Sequence, residues 1–189
     1  RKEDLAGMLE EVDALWIARP NNPTGNLFEK NLVLELADQF PEKWFIVDEA
    51  FVQFLDDWKE KSLLTEKPKS NVLVLNSLTK FYAVAGLRLG GIVGHEDVIS
   101  RMKHAKEPWA INGIADRVAS LLSESTDYDE KSRIAHNAEK ERVFRALKDM
   151  DGILPYSPSV NYILCQWLKT DNLDHLLAHL LANGVYLRD

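Results

Sequence analysis

Short apolar runs that end in polar or turn-forming residues recur along the first half of the chain. They occupy residues 12–19, 44–47, 71–76 and 89–93. Because these runs are apolar on both faces, each predicts a strand that is covered on both sides. Between the first two runs, Leu32, Val33 and Leu36 recur at helical spacing, which predicts a helix over residues 29–39. The pattern indicates an α/β domain with a mostly parallel sheet and helices on both faces.

The pattern becomes helical after residue 95. Helices are predicted over residues 96–106, 112–124, 127–150 and 173–182. After a turn, residues 160–167 are predicted to form a strand of a different unit, and residues 185–189 to begin another strand. We therefore expect a partial large domain over residues 1–150 and the start of a small α+β domain over residues 151–189.

Charge and composition narrow the range of partners. The 189 residues are 46% hydrophobic, and 23 Lys and Arg stand against 30 Asp and Glu, for a formal net charge of -7. This acidic balance argues against nucleic acid or an anionic membrane as a partner, since both require clustered positive charge. The sequence also lacks an apolar run of about 18 residues, the length that spans a membrane.

A single cysteine, Cys165, excludes an internal disulfide and indicates a reducing compartment, so we expect a cytoplasmic protein. Its position in an apolar run predicts a packed, small hydrophobic side chain. The first residues contain neither an initiator Met nor the apolar core of a signal peptide. The chain is therefore expected to begin inside a longer protein.

Polar side chains follow three of the predicted strands. Asn22 lies in the loop after the first strand, Asp48 ends the second, and residues 77–80 follow the third. Because ligands bind at the carboxyl ends of strands in such sheets, we expect these residues to share a site. An unpaired carboxylate at the end of a buried strand is costly. Asp48 therefore needs a partner, which could be a protonated ring nitrogen of a cofactor, a nearby arginine or a helix N-terminus.

Lys80 lies directly after the third predicted strand and precedes Arg88. Apolar surroundings and a neighbouring cation would disfavour its charged form and make its free amine available as a nucleophile. On the local pattern alone, a lysine that extends along the surface is the commoner outcome. Ser77 and Thr79 supply hydroxyls and Arg88 a guanidinium that suits a phosphate, although each alone is more often a turn residue or part of a surface ion pair.

Two histidines, His175 and His179, are four residues apart on a predicted helix and could share a metal ion. A metal site requires three or four ligands, and no third ligand follows at a suggestive spacing. We therefore predict an exposed helix face and no metal. The sequence also lacks the phosphate loop of nucleoside triphosphatases and the glycine fingerprint of dinucleotide-binding proteins.

Three motifs and their order bring these residues into one pattern. They are NNPTG at residues 21–25, DEAF at residues 48–51, and SLTK at residues 77–80 with Arg88 after it. Together they resemble the fold-type I pyridoxal-phosphate enzymes of the class I/II aminotransferase family. The resemblance implies pyridoxal 5'-phosphate as cofactor, and it implies a role for each residue.

By this resemblance, Lys80 would bind the cofactor covalently and later move protons at the substrate. Asp48 would pair with the ring nitrogen and keep it protonated. Asn22 would donate a hydrogen bond to the ring 3-oxygen and lie near the substrate carboxylate. Ser77 and Arg88, and less clearly Thr79, would bind the cofactor phosphate.

Within the family, the chain most resembles the branch that holds histidinol-phosphate aminotransferases and threonine-phosphate decarboxylases. Residues 77–90 and 108–112 look most like the decarboxylase, and Phe51 stands where aminotransferases of the branch usually carry Tyr. The resemblance implies decarboxylation of L-threonine O-3-phosphate to (R)-1-amino-2-propanol O-2-phosphate, in cobalamin biosynthesis. The substrate would be a small phosphorylated amino acid or amine, and the full-length protein a homodimer.

Two other hypotheses stay open, an aminotransferase of the histidinol-phosphate type and a non-catalytic fragment or binding module. The resemblance covers nearly the whole chain, but the chain has only about half of the family's usual length. The arginines that bind the substrate carboxylate and phosphate in this branch are expected outside these residues. The chain alone is therefore expected to be inactive.

Overall fold

The four apolar runs of the first half form one sheet. The computed structural model describes residues 2–122, 124–169 and 173–188, and in them the main sheet has the strand order β1-β2-β3-β4. These strands are β1 (Ala14–Ala18), β2 (Trp44–Asp48), β3 (Val72–Ser77) and β4 (Gly90–Gly94). Strands β1, β2 and β3 are parallel, and β4 is antiparallel to β3. The predicted mostly parallel sheet is confirmed. The expectation that every strand is covered on both sides is wrong for β1 and β4, because Trp16 and Ile92 are exposed.

Five of the eight helices in the described residues lie where the sequence predicts them. In the described residues they are α1 (Lys2–Leu9), α2 (Lys30–Gln39), α3 (Trp58–Lys61), α4 (Leu78–Phe81), α5 (Glu96–Ala105), α6 (Gly113–Leu122), α7 (Thr126–Lys148) and α8 (Leu173–Ala182). The five predicted helices correspond to α2, α5, α6, α7 and α8, with ends moved by no more than two residues. Residue 123, inside one predicted helix, lies outside the described part. The sequence did not predict helices α1, α3 and α4. It also did not predict two short 3-10 helices, Val52–Phe54 and Ala85–Leu87.

An apolar core holds α2 against the sheet. Val33, Leu36 and Ala37, which share one face of α2, are buried, as their helical spacing predicts. They form one buried cluster with Phe45 and Val47 of β2. Full burial of a side chain of this size stabilises the fold by about 1.5–3 kcal/mol. This packing holds the strands whose ends carry the candidate site.

The second unit is smaller than the sequence predicts. A two-stranded antiparallel sheet pairs β5 (Ile153–Pro155) with β6 (Cys165–Trp167). The prediction of a strand over residues 160–167 is wrong for residues 160–164, because Val160 is instead fully buried in an apolar cluster with Phe54 and Phe81. Side-chain packing against the main domain draws this segment out of the sheet.

Two further expectations about this unit are wrong. Cys165 is exposed rather than packed, because the first two residues of β6 face solvent. Residues 185–188 do not form a strand, since the Val185 amide donates to the Leu180 carbonyl at 2.8 Å and folds the chain back on the end of α8. Asp189, the last residue of that predicted strand, lies outside the described residues.

Candidate active site

Three neighbouring strand ends carry the candidate residues. Asp48, the last residue of β2, is paired with Ala18 at the end of β1 and with Leu75 of β3. Asn22 follows β1 in the turn over residues 21–25, and Lys80 lies in α4 directly after β3. Because these three strands are parallel, their carboxyl ends lie side by side, as the sequence predicts.

Asp48 is half-buried, and one carboxylate oxygen, Oδ1, accepts a hydrogen bond from the Ala50 amide at 3.0 Å. Of the partners that the sequence left open for Asp48, an arginine is not supported. Arg19, the cation at the neighbouring strand end, pairs with Glu49 instead. Within the described residues, no lysine or arginine forms an ion pair with Asp48. The carboxylate therefore remains suited to a cationic ring nitrogen.

Lys80 is exposed to solvent. The expectation that apolar residues surround Lys80 is therefore wrong for this chain. The cause is the single turn of α4, which buries Thr79 and Phe81 and so directs the side chain between them outward. The amine of Lys80 is accessible to a ligand at the strand ends.

The hydroxyls predicted to bind phosphate lie together. The Oγ of Ser77 and the Oγ1 of Thr79 are 2.7 Å apart and share a hydrogen bond. Ser77 is half-buried, whereas Thr79 is only 5% exposed. Arg88 is exposed, has a left-handed φ of 52°, and donates from Nη1 to the Ala85 carbonyl at 3.2 Å. Ser77 and Arg88 can therefore reach a ligand. Thr79 is buried and hydrogen-bonds to the Ser77 hydroxyl.

A buried ion pair that the sequence did not predict lies behind these strand ends. Glu49 is 0% and Arg19 1% exposed, and the Arg19 guanidinium donates to the Glu49 carboxylate. Glu49 also accepts hydrogen bonds from the Ser62 hydroxyl and from the Leu63 amide at 3.0 Å. Arg19 donates in addition to the Phe28 carbonyl. A signal for this pair was present in the sequence, because Arg19 ends the apolar run 12–19 and Glu49 closely follows the apolar run 44–47.

A second contact that the sequence did not predict joins residues 159–162 to the turn over residues 21–25. The Tyr162 hydroxyl donates to the Asn21 carbonyl at 2.9 Å, and the Ser159 hydroxyl donates to the Gly25 carbonyl. Gly25 has a φ of +73°, and a Cβ there would lie 3.4 Å from the Ser159 amide nitrogen. Glycine therefore suits both the backbone and the close approach. No local pattern reveals this contact, because its partners are distant in the chain.

Comparison with known proteins decides the family. The family model described as "Aminotransferase class I and II" matches residues 2–189. The chain belongs to the aminotransferase class I and II family. The resemblance seen in the three motifs is therefore confirmed.

Relatives within this family carry two different activities in their names. A threonine-phosphate decarboxylase from Salmonella typhimurium is 31% identical over 187 residues, which is 97% of this chain and 50% of that protein. A solved histidinol-phosphate aminotransferase from Clostridium acetobutylicum is 30% identical with a TM-score of 0.90, covering 99% of this chain and 57% of the other. This aminotransferase class I and II chain thus spans about half the length of the curated relatives it matches.

A third similar protein shares the fold of this aminotransferase class I and II chain. The histidinol-phosphate aminotransferase of Sinorhizobium meliloti, solved in complex with pyridoxal-5'-phosphate, is 19% identical with a TM-score of 0.85. The likeness covers 100% of this chain and 52% of that one. It supports the mostly parallel sheet with helices described above.

The residues at the strand ends fit the ligand that the family implies. Asp48 offers a carboxylate without an arginine partner among the described residues, Lys80 an accessible amine, and Asn22 an exposed amide. Ser77 and Arg88 add a hydroxyl and a guanidinium for a phosphate. This donor set matches a phosphorylated pyridine aldehyde.

None of the described helices is both long and apolar enough to cross a membrane. Within residues 2–122, 124–169 and 173–188, no three His, Cys, Asp or Glu side chains are grouped to hold a metal ion. His175 and His179 are exposed on α8, which confirms the predicted exposed helix face.

Proposed function

We propose that this chain is the cofactor-binding centre of a pyridoxal 5'-phosphate enzyme that decarboxylates L-threonine O-3-phosphate to (R)-1-amino-2-propanol O-2-phosphate, in cobalamin biosynthesis. The observation that carries the proposal is the position of Asn22, Asp48 and Lys80 after three neighbouring parallel strands. An amide, an acid and an amine then face the same edge of the sheet. Family membership indicates pyridoxal phosphate as the cofactor.

Each strand end has one task in this proposal. Pyridoxal phosphate, when bound, supplies a conjugated ring that accepts the electron pair released at the substrate Cα. The Asp48 carboxylate keeps a proton on the ring nitrogen, and the Asn22 amide donates to the ring 3-oxygen. The Lys80 amine would hold the cofactor through its aldehyde carbon, with loss of water, and would move a proton at the substrate Cα.

In this proposal, the phosphate is bound by the end of β3 and by Arg88, which precedes β4. The Ser77 hydroxyl donates to a phosphate oxygen, and the exposed Arg88 guanidinium neutralises the phosphate charge. Thr79 is buried and hydrogen-bonded to Ser77, so its contribution is to orient the Ser77 hydroxyl. The overall negative protein thus binds an anion through a few placed groups.

Phe51 resembles the decarboxylase more than the aminotransferases of this branch, and this resemblance supports the proposal. Its ring lies edge-on to Tyr162, with centroids 5.2 Å apart, and stacks on Phe54 at 6.3 Å. The position therefore offers the ring 3-oxygen no hydroxyl, unlike the Tyr that aminotransferases of this branch usually carry. Residues 77–90 and 108–112 also resemble the decarboxylase most. The bond that breaks is set by substrate orientation, which the substrate-binding groups of the whole protein supply.

The alternative is an aminotransferase of the histidinol-phosphate type. The specific observation in its favour is the TM-score of 0.90 at 30% identity with the Clostridium acetobutylicum enzyme. Both candidates act on a small phosphorylated amino acid or amine. In either case we propose a cytoplasmic homodimer, with residues 1–150 as part of the large domain and residues 151–189 as the start of the small domain.

The test uses the full-length protein that contains these residues, loaded with pyridoxal phosphate. We expect carbon dioxide release from L-threonine O-3-phosphate without 2-oxoglutarate. Glutamate formation from histidinol phosphate and 2-oxoglutarate would establish the aminotransferase instead. If the protein develops no visible absorbance band with the cofactor, the chain is part of a binding module.

A lysine substitution tests the role of Lys80 in the same protein. Lys80→Ala should abolish the visible absorbance band of the covalently bound cofactor, because Lys80 is the only lysine between β3 and β4. Lys103→Ala, which removes an exposed lysine of α5, is the matched control and should leave the band unchanged. A band that persists in Lys80→Ala contradicts the assignment.

A further inference from the structure

Residues 159–162 lie between β5 and β6 and hold both ends of the turn that presents Asn22. The Tyr162 hydroxyl donates to the Asn21 carbonyl at 2.9 Å, and the Ser159 hydroxyl donates to the Gly25 carbonyl. The Ser159 carbonyl in turn accepts a hydrogen bond from Lys140 of α7 at 3.3 Å. The turn over residues 21–25 is therefore tied to the second unit as well as to β1.

Tyr162 also approaches the second motif. Its ring lies edge-on to Phe51 at 5.2 Å. Burial, and to a lesser degree the negative charge of Asp48, raise the pKa of Tyr162 to about 12. The phenol therefore stays protonated at neutral pH and remains a hydrogen-bond donor to Asn21.

The third motif meets the same segment through Val160. This side chain is fully buried in one apolar cluster with Phe54 and Phe81, and Phe81 is the neighbour of Lys80. One four-residue segment thus touches the turn over residues 21–25, the loop after β2 and the helix after β3. Its position is fixed by core packing rather than by surface contacts alone.

The Asn22 side chain is positioned through the backbone of its turn, in which the Gly25 amide also donates to the Asn21 carbonyl at 2.7 Å. It is exposed, and among the described residues it has no hydrogen-bond partner of its own. The direction of its amide is therefore set by the backbone of the turn. The bond from Tyr162 acts on the peptide group that joins Asn21 to Asn22.

We propose that Tyr162 is a positioning residue of the cofactor site, which fixes the Asn21–Asn22 peptide and so aims the Asn22 amide at the ring 3-oxygen. The inference rests on the proposed function, because it assigns Tyr162 a task in holding pyridoxal phosphate. This task requires the Tyr162 hydroxyl, which makes the hydrogen bond. The substitution Tyr162→Phe removes only that hydroxyl and keeps the ring contact with Phe51.

The test compares Tyr162→Phe with Tyr156→Phe in the full-length protein. The control removes the same atom from an exposed tyrosine of the same unit, whose hydroxyl donates to Gln166 at 3.0 Å. Three quantities are measured: the dissociation constant for pyridoxal phosphate, the pH midpoint of the visible absorbance of the bound cofactor, and the thermal denaturation midpoint. The third quantity separates positioning from a general loss of stability.

We expect Tyr162→Phe to bind the cofactor about tenfold more weakly, the fold-change that corresponds to one hydrogen bond of typical strength. The pH midpoint should move upward, because a ring 3-oxygen with a loosened Asn22 donor holds the proton that it shares with the Lys80 nitrogen more firmly. Tyr156→Phe should change neither quantity. Equal cofactor affinity and equal pH midpoint in the two variants overturn the proposal, whatever happens to the denaturation midpoint.

Ser159→Ala provides a second route if Tyr162→Phe does not fold. It removes the hydrogen bond at the other end of the same turn, and should weaken cofactor binding and raise the pH midpoint in the same sense. Unchanged binding in this variant overturns the role of the segment. A wild-type protein without any visible band overturns the proposed function itself, and the role of Tyr162 with it.

Discussion

Replacing Glu49 by alanine is expected to destabilise the protein by about 3–5 kcal/mol, because it leaves the buried Arg19 guanidinium without its partner. Glu49 is 0% and Arg19 1% exposed, so water cannot replace the lost carboxylate without a rearrangement. The Ser62 hydroxyl and the Leu63 amide lose their acceptor in the same step, and an unpaired buried donor alone costs about 1–3 kcal/mol. These costs overlap, so we take the ion-pair range as the expected total.

Glu49→Gln separates charge from shape. The amide keeps the volume and one acceptor oxygen, but it loses the negative charge that neutralises the Arg19 guanidinium. We take the worth of a hydrogen bond to a charged group, about 1.5–3 kcal/mol, as the expected loss. Glu49→Gln should therefore be less destabilising than Glu49→Ala. Both losses are large against a typical total stability of about 5–15 kcal/mol.

Urea denaturation of the full-length protein, followed by tryptophan fluorescence, measures this loss as a shift of the transition midpoint. The matched control is Glu141→Ala, which removes an exposed carboxylate 2.9 Å from Arg145 on α7. Exposed pairs of this kind contribute little, so its midpoint should match that of the wild type. A Glu49→Ala midpoint equal to that of Glu141→Ala would refute the argument that the buried pair holds the strand ends together.

Three further substitutions test other features of the structure. Gly25→Ala should destabilise the protein by about 1–2 kcal/mol because the residue has a φ of +73°. The control Gly7→Ala adds a Cβ that meets nothing within 4 Å in α1 and should stabilise the protein slightly. Equal urea midpoints for the two variants would contradict backbone strain at Gly25. Phe51→Tyr should lower the pH midpoint of the bound-cofactor absorbance, since it adds a donor near the ring 3-oxygen, and an unchanged midpoint would place that hydroxyl elsewhere. Burial lowers the pKa of His136 from 6.5, so the unfolded state binds more protons and stability should fall as the pH drops below about 6.5; His136→Gln should lessen this fall, and exposed His175→Gln should not.

The strands and helices were largely predictable because their signal is local. Apolar runs become the parallel strands β1 to β3, although β1 is not covered on both faces. The helical spacing of Val33 and Leu36 becomes the buried face of α2. The common edge of the candidate residues also followed from the sequence. Parallel strands present their carboxyl ends together, so residues that follow such strands must lie at one edge.

The exposure of each site residue was not predictable in this way. Thr79, Lys80 and Phe81 are consecutive in sequence, and only the direction of the single turn of α4 decides that Lys80 faces solvent and its neighbours do not. The same holds for Cys165, which an apolar run suggests is packed and which the open face of β6 leaves exposed. Side-chain direction depends on the elements that cover a residue.

By itself, the sequence determined the order of the elements, the family and the three motifs that meet at one edge of the sheet. Tertiary structure alone decided the contacts that support those motifs, which join Arg19 to Glu49, 30 residues apart, and Tyr162 to Asn21, 141 residues apart. It also drew residues 160–164 out of the predicted strand, because burying Val160 in the core outweighs extending the two-stranded sheet. A local sequence pattern shows which positions of a segment are apolar and which are polar. The partner of a buried charge or hydroxyl is set by packing between segments that are distant along the chain.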